Sequence, residues 1–486
     1  MRSSIPPSSI TTAADLAGAR VLVAGAGVTG SSAARVLRGL GAEVTVTDSA
    51  PAQLAALAGA AWVDGAVRLV AGLSAPPPGT DLVVTSPGFR PDAPLMVAAA
   101  RAGVAVIGDA GLARWVDRAR SGPEGPADWL VVTGTNGKTT TVGMLESVLR
   151  AAGVDVVACG NIGLPVLDAV RAGHRVLAVE LSSFQLHWSR ELDPRAAAVL
   201  NVSADHLDWH GSMASYAAAK GSVYGGAATA IVNLDDEWST RLAAARGGIG
   251  FTTGEPVQGQ LGISRRQLVD RAFGGAAGDA VLAGLADIPA PGPHNVANAL
   301  AAAALARAVG VPPEAVGQGL RAFTPAGHRG VPVGERAGVR YIDDSKATNP
   351  DAARAALLAH RRVVWVAGGL LKGAELDGLV ADTRNRLVGA VLLGADRAII
   401  ADALARHAPD IPVRMVDSGD DGAMIEVVAA AAGLAGPGDV VLLAPAAASM
   451  DMFTDYAQRG RAFAAAVAAL PATGTPDPGP AGRAAG

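Results

Sequence analysis

The stretch Leu130-Val131-Val132-Thr133-Gly134-Thr135-Asn136-Gly137-Lys138-Thr139-Thr140-Thr141 constrains this chain more than any other. An apolar run that reads as a buried strand ends in a loop of small residues, and Lys138-Thr139 opens a helical pattern through Leu149. Strand, loop and helix in that order build a phosphate cradle. Backbone N–H groups at a helix N-terminus face the anion, a lysine adds a point charge, and a hydroxyl reaches Mg²⁺. The spacing departs from the commonest form of this loop, because Val132 stands where a glycine is expected five residues before Gly137. A plain strand-to-helix turn would also accept Gly-Lys-Thr, but the whole context points to a nucleotide.

At 486 residues the chain should divide into about three domains. Half of its residues are apolar, yet no uninterrupted apolar segment approaches the ~20 residues a membrane helix needs, so no membrane insertion is expected. The polar, Pro/Ser-rich start from Met1 to Thr12 lacks the apolar centre of a secretory leader. A lone cysteine, Cys159, excludes an intramolecular disulfide and suits a reducing cytoplasm. A net charge of −4 gives no reason to expect nucleic acid.

One count says more. Of 40 basic residues only four are lysine, namely Lys138, Lys220, Lys346 and Lys372, and the other 36 are arginine. Where so biased a chain keeps lysine, a compact amine that can lose its proton is the chemical reason to keep it. Compositional drift is the plain alternative.

Residues 1–16 and 471–486 read as disordered, with domains at 17–117, 118–325 and 326–470 between them. In the first domain a strand Arg20–Ala24 leads into Gly25-Ala26-Gly27-Val28-Thr29-Gly30, a helix through Leu40, and a strand Glu43–Thr47 ending at Asp48. That is a dinucleotide-type fingerprint, which taken alone suits NAD as well as any other ribonucleotide. Strands Asp81–Val84 and Val104–Ile107 follow, the first ending in Ser86-Pro87-Gly88. In the middle domain, strand Arg175–Val179 places Glu180 at its end, and strand Ala196–Asn201 leads to Asp205-His206-Leu207-Asp208. A helix from Ser215 to about Tyr224 carries Lys220, and Pro293-His294-Asn295-Val296-Ala297-Asn298 opens an Ala-rich helix. A carboxylate and an imidazole at neighbouring strand ends suit Mg–nucleotide chemistry. The last domain repeats the alternation, with strands Arg340–Asp343, Val363–Ala367, Val391–Leu393 and Val440–Leu443. Each is followed by a polar cluster or a turn, so the clusters should share one rim of a third sheet.

Together the motifs Thr133–Thr140, Gly160-Asn161-Ile162-Gly163, Glu180–Leu186, Asp205–Asp208, Gly292–Asn298, His328-Arg329 and Asp344–Asn349 resemble the Mur ligases, in order and spacing, from about Leu16 to Leu470. Within that family, Ser86-Pro87-Gly88, Ala446–Phe453 and Gln458-Arg459-Gly460 are similar to the members that add D-glutamate to UDP-N-acetylmuramoyl-L-alanine. The fold so implied is α/β in three domains, N-terminal Rossmann-like, central P-loop ATPase-like, C-terminal Rossmann-like. The activity implied is ATP-dependent amide ligation in cytoplasmic peptidoglycan precursor synthesis, by a monomer that uses two Mg²⁺ ions.

The resemblance also implies roles. Gly134, Thr135, Asn136, Gly137, Lys138, Thr139 and Thr140 would hold the ATP phosphates, Asn295 and Asn298 the adenine, and Arg329 and Asp344 phosphate and ribose. Gly27, Val28, Thr29, Gly30, Asp48, Ser86, Pro87, Gly88 and Asn161 would hold the UDP-sugar, so the fingerprint takes UDP and not NAD. Lys346, Thr348, Lys372, Ser449, Met450 and Tyr456 would surround D-glutamate. Thr139, Glu180, His206 and a carbamylated Lys220 would serve the metal ions, with Lys138, Glu180, His206 and Lys220 as the catalytic set. The alanyl carboxylate would attack the γ-phosphate of ATP, and the D-glutamate amine would then displace phosphate from the acyl phosphate. The chain departs from many relatives at Leu371, where an acidic residue is common near the lysine, and at Tyr456, where some carry Phe. Another Mur-type or a folyl-polyglutamate-type ligase shares the loop and the Lys220 region. An NAD dehydrogenase would need an acid/base site beside its fingerprint.

Overall fold

A computed structural model describes residues 10–63, 65–121, 125–189, 191–274, 279–289, 292–325, 327–417 and 422–470. They group into two compact units, one drawn from Met1–Pro289 and Asn295–Phe323, the other from Ala290–His294 and Thr324–Gly486. The first unit carries two sheets and the second carries one. Among the described residues no helix is long and apolar enough to cross a membrane.

The first sheet consists of β1 (Arg20–Ala24), β2 (Glu43–Asp48), β3 (Val67–Ala71), β4 (Leu82–Thr85) and β5 (Ala105–Gly108), all parallel in the order β3-β2-β1-β4-β5. The order reverses between β1 and β4, and the crevice beyond such a pair is where open parallel sheets bind ligands. The Gly25–Gly30 loop follows β1 and Ser86-Pro87-Gly88 follows β4, so both flank that crevice. Strand β3 has no counterpart in the sequence reading; it lies at the sheet edge with only Val67 buried, which leaves a weak hydrophobic pattern. Residues 10–16 also differ from the disordered segment expected there. Ala13–Leu16 form a short 3₁₀ turn capped by Thr12 and Asp15, and Ile10, Ala13 and Leu16 are buried in the core. The rest of that segment, and the tail 471–486, lie outside the described residues.

The second sheet holds β6 (Asp128–Thr133), β7 (Val156–Gly160), β8 (Val176–Glu180), β9 (Ala196–Val199), β10 (Thr229–Asn233), β11 (Ile249–Phe251), β12 (Gln260–Ser264), β13 (Gln267–Asp270) and β14 (Ala280–Gly284). Their order is β14-β13-β12-β11-β10-β9-β6-β8-β7, parallel up to β12 and antiparallel at the β13 and β14 edge. Strands β6, β8 and β9 are unbroken apolar runs because both of their faces are covered. The strands beyond β9 are absent from the sequence reading. Helix Lys138–Ala151 is pinned by helix Pro313–Ala322: Gly319 lies so close that a Cβ there would strike the Val148 backbone, and Ser147 Oγ donates to Gly319 O at 2.7 Å. The helix bearing Lys220 ends sooner than expected, running Met213–Gly221 before a 3₁₀ turn Ser222–Tyr224.

In the second unit, β15 (Val331–Arg336), β16 (Val339–Asp343), β17 (Val363–Gly368), β18 (Leu387–Leu393), β19 (Val413–Met415) and β20 (Val440–Leu443) take the order β15-β16-β20-β17-β18-β19. Only β15 runs antiparallel. The last strand inserts between β16 and β17, so the loops after all three emerge side by side.

Candidate active site

The phosphate loop leaves β6 and turns into helix Lys138–Ala151 through Gly137, whose φ of 86° suits glycine. A side chain there would also collide with Asn298 Oδ1, so the loop is seated on the helix that begins at Pro293. Asn298 accepts from Thr141 Oγ1 at 3.3 Å and donates to Asn295 Oδ1 at 3.1 Å. Asn201, at the end of the neighbouring β9, latches the other side. Its carbonyl accepts from Thr135 N at 2.9 Å, its Oδ1 from Asn136 N at 2.9 Å, and its Nδ2 donates to Asn136 O at 3.2 Å. Thr135 Oγ1 lies 3.0 Å from the Tyr216 hydroxyl. Sequence reasoning assigned no role to Asn201 or Tyr216; a polar residue ending an apolar strand beside the loop was the one available signal for Asn201.

Two of the four lysines meet in this loop. Lys138 Nζ donates to Gly134 O and Thr135 O, both at 2.9 Å, and Lys220 Nζ donates to the same Gly134 O at 2.7 Å. Lys220 is 1% exposed and lies 4.6 Å from the Tyr216 ring centroid. Burial, with Lys138 nearby, holds its amine well below the usual lysine range. A neutral amine is a nucleophile; an ammonium is not.

The strand ends beside the loop carry the other candidates. Glu180 ends β8 and is buried; its Oε1 accepts from Asn161 Nδ2 at 3.0 Å, and its carbonyl accepts from Asn161 N at 2.8 Å. His206 has a φ of 54°, a strained value for a non-glycine residue, and its Nε2 is 3.5 Å from Asp205 Oδ2. Its ring lies edge-on to Phe184, in an aromatic cluster with Trp209 and His210. Among the described residues no three His, Cys, Asp or Glu side chains gather into a cation cage. The donors available are a hydroxyl at Thr139, a carboxylate and an imidazole. As an ammonium Lys220 would repel a cation, whereas as a carbamate it would add an oxygen ligand of the kind Mg²⁺ prefers. So modified, the set fits.

At the first sheet, Asp48 Oδ2 accepts from Ala26 N at 2.8 Å, which braces the Gly-rich loop. Thr29 Oγ1 is 3.4 Å from Ser86 Oγ, joining the loops after β1 and β4, and Val28 is 72% exposed at the loop's tip.

In the second unit, Lys346 and Thr348 follow β16, Lys372 follows β17, and Ser449 and Met450 follow β20. Lys346 Nζ sits 4.1 Å from the Tyr456 ring centroid. Ser449 is buried and Met450 is 72% exposed. Leu371 is buried in the apolar core, which accounts for a hydrophobic residue at that point of the Lys372 loop. Burial pushes the Asp344 carboxyl up to about 7, against Arg329. A residue without an assigned role organises this rim. Arg459 donates to Ser345 O and Oγ, Gly368 O and Ala447 O, clamping all three loops.

The comparisons agree with this layout. Residues 132–306 match the model of the Mur ligase middle domain, and residues 328–447 that of the Mur ligase glutamate ligase domain. Residues 5–99 match the C-terminal domain of alanine dehydrogenase/PNT. The chain is 53% identical to the UDP-N-acetylmuramoylalanine--D-glutamate ligase of Streptomyces coelicolor, over 94% of this chain and 99% of that protein. It is 54% identical to the protein of that name from Thermobifida fusca (94% and 99%) and 51% to that of Mycobacterium avium (93% and 97%). The structure of UDP-N-acetylmuramate-alanine ligase from Thermotoga maritima shares its fold, with a TM-score of 0.56 at 20% identity over 92% of this chain and 99% of that one. With half its residues shared over nearly its whole length, and a phosphate loop flanked by Glu180 and a buried Lys220, the chain belongs to the Mur ligase family.

Proposed function

We propose that this protein joins D-glutamate to UDP-N-acetylmuramoyl-L-alanine at the expense of ATP, through an acyl phosphate, in peptidoglycan precursor synthesis. The relatives' shared name supports the substrates, and one observation carries the chemistry: the buried Lys220 amine lies against the phosphate loop. Its neutral form attacks CO₂, forming an N–C bond and releasing a proton, and the resulting carbamate is an anion. Thr139, Glu180, His206 and the carbamate would hold two Mg²⁺ ions, which neutralise charge as a carboxylate approaches a polyphosphate.

The chain's own groups do the rest. Lys138 and the N–H groups of Gly137–Thr140 at the helix start bind the β- and γ-phosphates, the Thr135 and Asn136 N–H groups being held by Asn201, and Asn295, Asn298, Arg329 and Asp344 hold the remainder of ATP. The loops after β1 and β4, with Asp48 and Asn161, take the UDP-sugar. Lys346, Thr348, Lys372, Ser449, Met450 and Tyr456 hold D-glutamate, with ammonium and hydroxyl groups suited to a side-chain carboxylate. The domains divide near 117 and 325, the first of them taking in the buried Ile10, Ala13 and Leu16 and the last ending near 470, and the protein works as a cytoplasmic monomer.

The test is ADP release that requires both UDP-N-acetylmuramoyl-L-alanine and D-glutamate. L-Glutamate, L-lysine and meso-diaminopimelate should give none. Turnover with L-lysine at a comparable rate would overturn the assignment.

A further inference from the structure

Helix Asp109–Arg118 follows β5 of the first sheet, and its first residue points into the interior of the unit. Asp109 is 5% exposed. Its Oδ2 accepts from Gln185 Nε2 at 3.1 Å, while its Oδ1 has no hydrogen-bond partner among the described residues. Together with Thr29, Gly30 and Ser86 of the UDP-sugar loops, it lines a narrow crevice.

Gln185 is 1% exposed, and the other end of its amide is equally committed. Its Oε1 accepts from Ser182 N at 3.1 Å and Ser182 Oγ at 3.3 Å, and its N–H donates to Ser182 Oγ at 3.2 Å. This reciprocal cap, with Ser182 two residues beyond Glu180, fixes the start of helix Ser183–Trp188. The end of that helix is already tied to the elements around the first sheet, through Trp188 Nε1 to Phe89 O in the loop after β4 at 3.1 Å and, from Ser189 just past the helix, Gly111 N to Ser189 Oγ at 3.1 Å. Docking alone therefore does not need a carboxylate. A half-satisfied buried carboxylate is costly, and burial pushes this one up to about 6 despite the Gln185 bond. Such groups concentrate where function demands them.

We propose that Asp109 is a positioning residue: acting through Gln185 and Ser182, it sets the turn that aims the Glu180 carboxylate. The inference rests on reading Glu180 as a magnesium ligand. It would make the sheet that holds the UDP-sugar loops a structural support of the magnesium site.

The test uses the full-length protein and calorimetric ATP binding across a magnesium series, with thermal midpoints recorded for every variant. Asp109→Ala and Gln185→Leu should each raise the magnesium needed for half-saturation by about tenfold or more, the scale of outer-shell losses at metal sites. The double variant should be no worse than the poorer single one, because both cut the same chain. Asp109→Asn keeps an acceptor for Gln185 but loses the charge that strengthens the bond, so its magnesium requirement should fall between those of the parent and Asp109→Ala; if Asp109→Ala fails to fold, a folded Asp109→Asn with the parent's requirement overturns the role. Glu180→Gln separates the two ideas. If it leaves the magnesium dependence unmoved, the reading of Glu180 fails and Asp109 loses its role with it. If Glu180→Gln shifts the dependence but folded Asp109→Ala does not, or if the two single effects multiply in the double variant, the positioning role is wrong.

Discussion

Replacing Arg459 by Met should loosen the candidate glutamate site without removing any group that would touch the amino acid. The side chain is 1% exposed, and among the described residues its hydrogen bonds go only to carbonyl and hydroxyl oxygens: Nε to Ser345 Oγ at 3.0 Å, Nη1 to Gly368 O at 3.2 Å and Ala447 O at 3.1 Å, Nη2 to Ser345 O at 2.9 Å and Ala447 O at 3.1 Å. Burial lowers the guanidinium to about 10, so it remains charged at neutral pH. Methionine fills the length but leaves three carbonyls without this donor, each costing about 1–3 kcal/mol. Part of that is offset because a buried cation no longer has to be desolvated. A net loss of about 3–5 kcal/mol follows, which for a unit of this size lowers its melting transition by roughly 10 °C. Because the three clamped loops carry Lys346, Lys372 and Ser449, KM for D-glutamate should rise while KM for ATP changes less. Arg459→Lys should fall between, since one ammonium cannot reproduce a planar fork that reaches three loops. Scanning calorimetry and steady-state kinetics check both effects. A variant that melts within about 1 °C of the parent and keeps its KM for D-glutamate would refute the clamp.

Lys220→Arg puts a permanent cation where a buried, largely neutral amine stands, and should lose most activity because guanidinium cannot form the carbamate at neutral pH; thermal midpoints check that the variant is folded. Lys220→Ala should be similarly inactive and partly rescued by short-chain carboxylates; ADP release reads both, and near-normal turnover of the arginine variant would end the carbamate reading. UDP should bind the full-length protein saturably in calorimetry while NADH does not, and saturable NADH binding without a UDP response would revive the dehydrogenase reading. His210, held down to about 4 chiefly by burial, takes up its proton more readily in the unfolded chain, so stability should be lost as pH falls from 6.5 towards 4. Thermal midpoints of His210→Gln should decline less over that window; an identical decline would exclude His210 as its source.

The local sequence determined the elements that depend only on neighbouring residues. An apolar strand, a small-residue loop and a helix opening at Lys138 are set by consecutive residues, so the strand–loop–helix order was legible locally, although Asn201 and Asn298 hold the loop in place. The same holds for the Gly25–Gly30 turn and the polar clusters at strand ends, and the scarcity of lysine set apart Lys138, Lys220, Lys346 and Lys372 together. Strand β3 escaped because an edge strand with one buried residue leaves little pattern, while Ile10–Leu16 gained their order by burying apolar side chains in a core the local sequence does not display. What the tertiary structure alone decided is which distant groups meet. Lys220 reaches Gly134 across 86 residues, Arg459 reaches Ser345 across 114, and Asp109 meets Gln185 across 76. The first two depend on strand order, with β6 between β8 and β9 and β20 between β16 and β17, and the third on packing between two sheets; both are set by burial and pairing over whole sheets, where no short stretch carries the information.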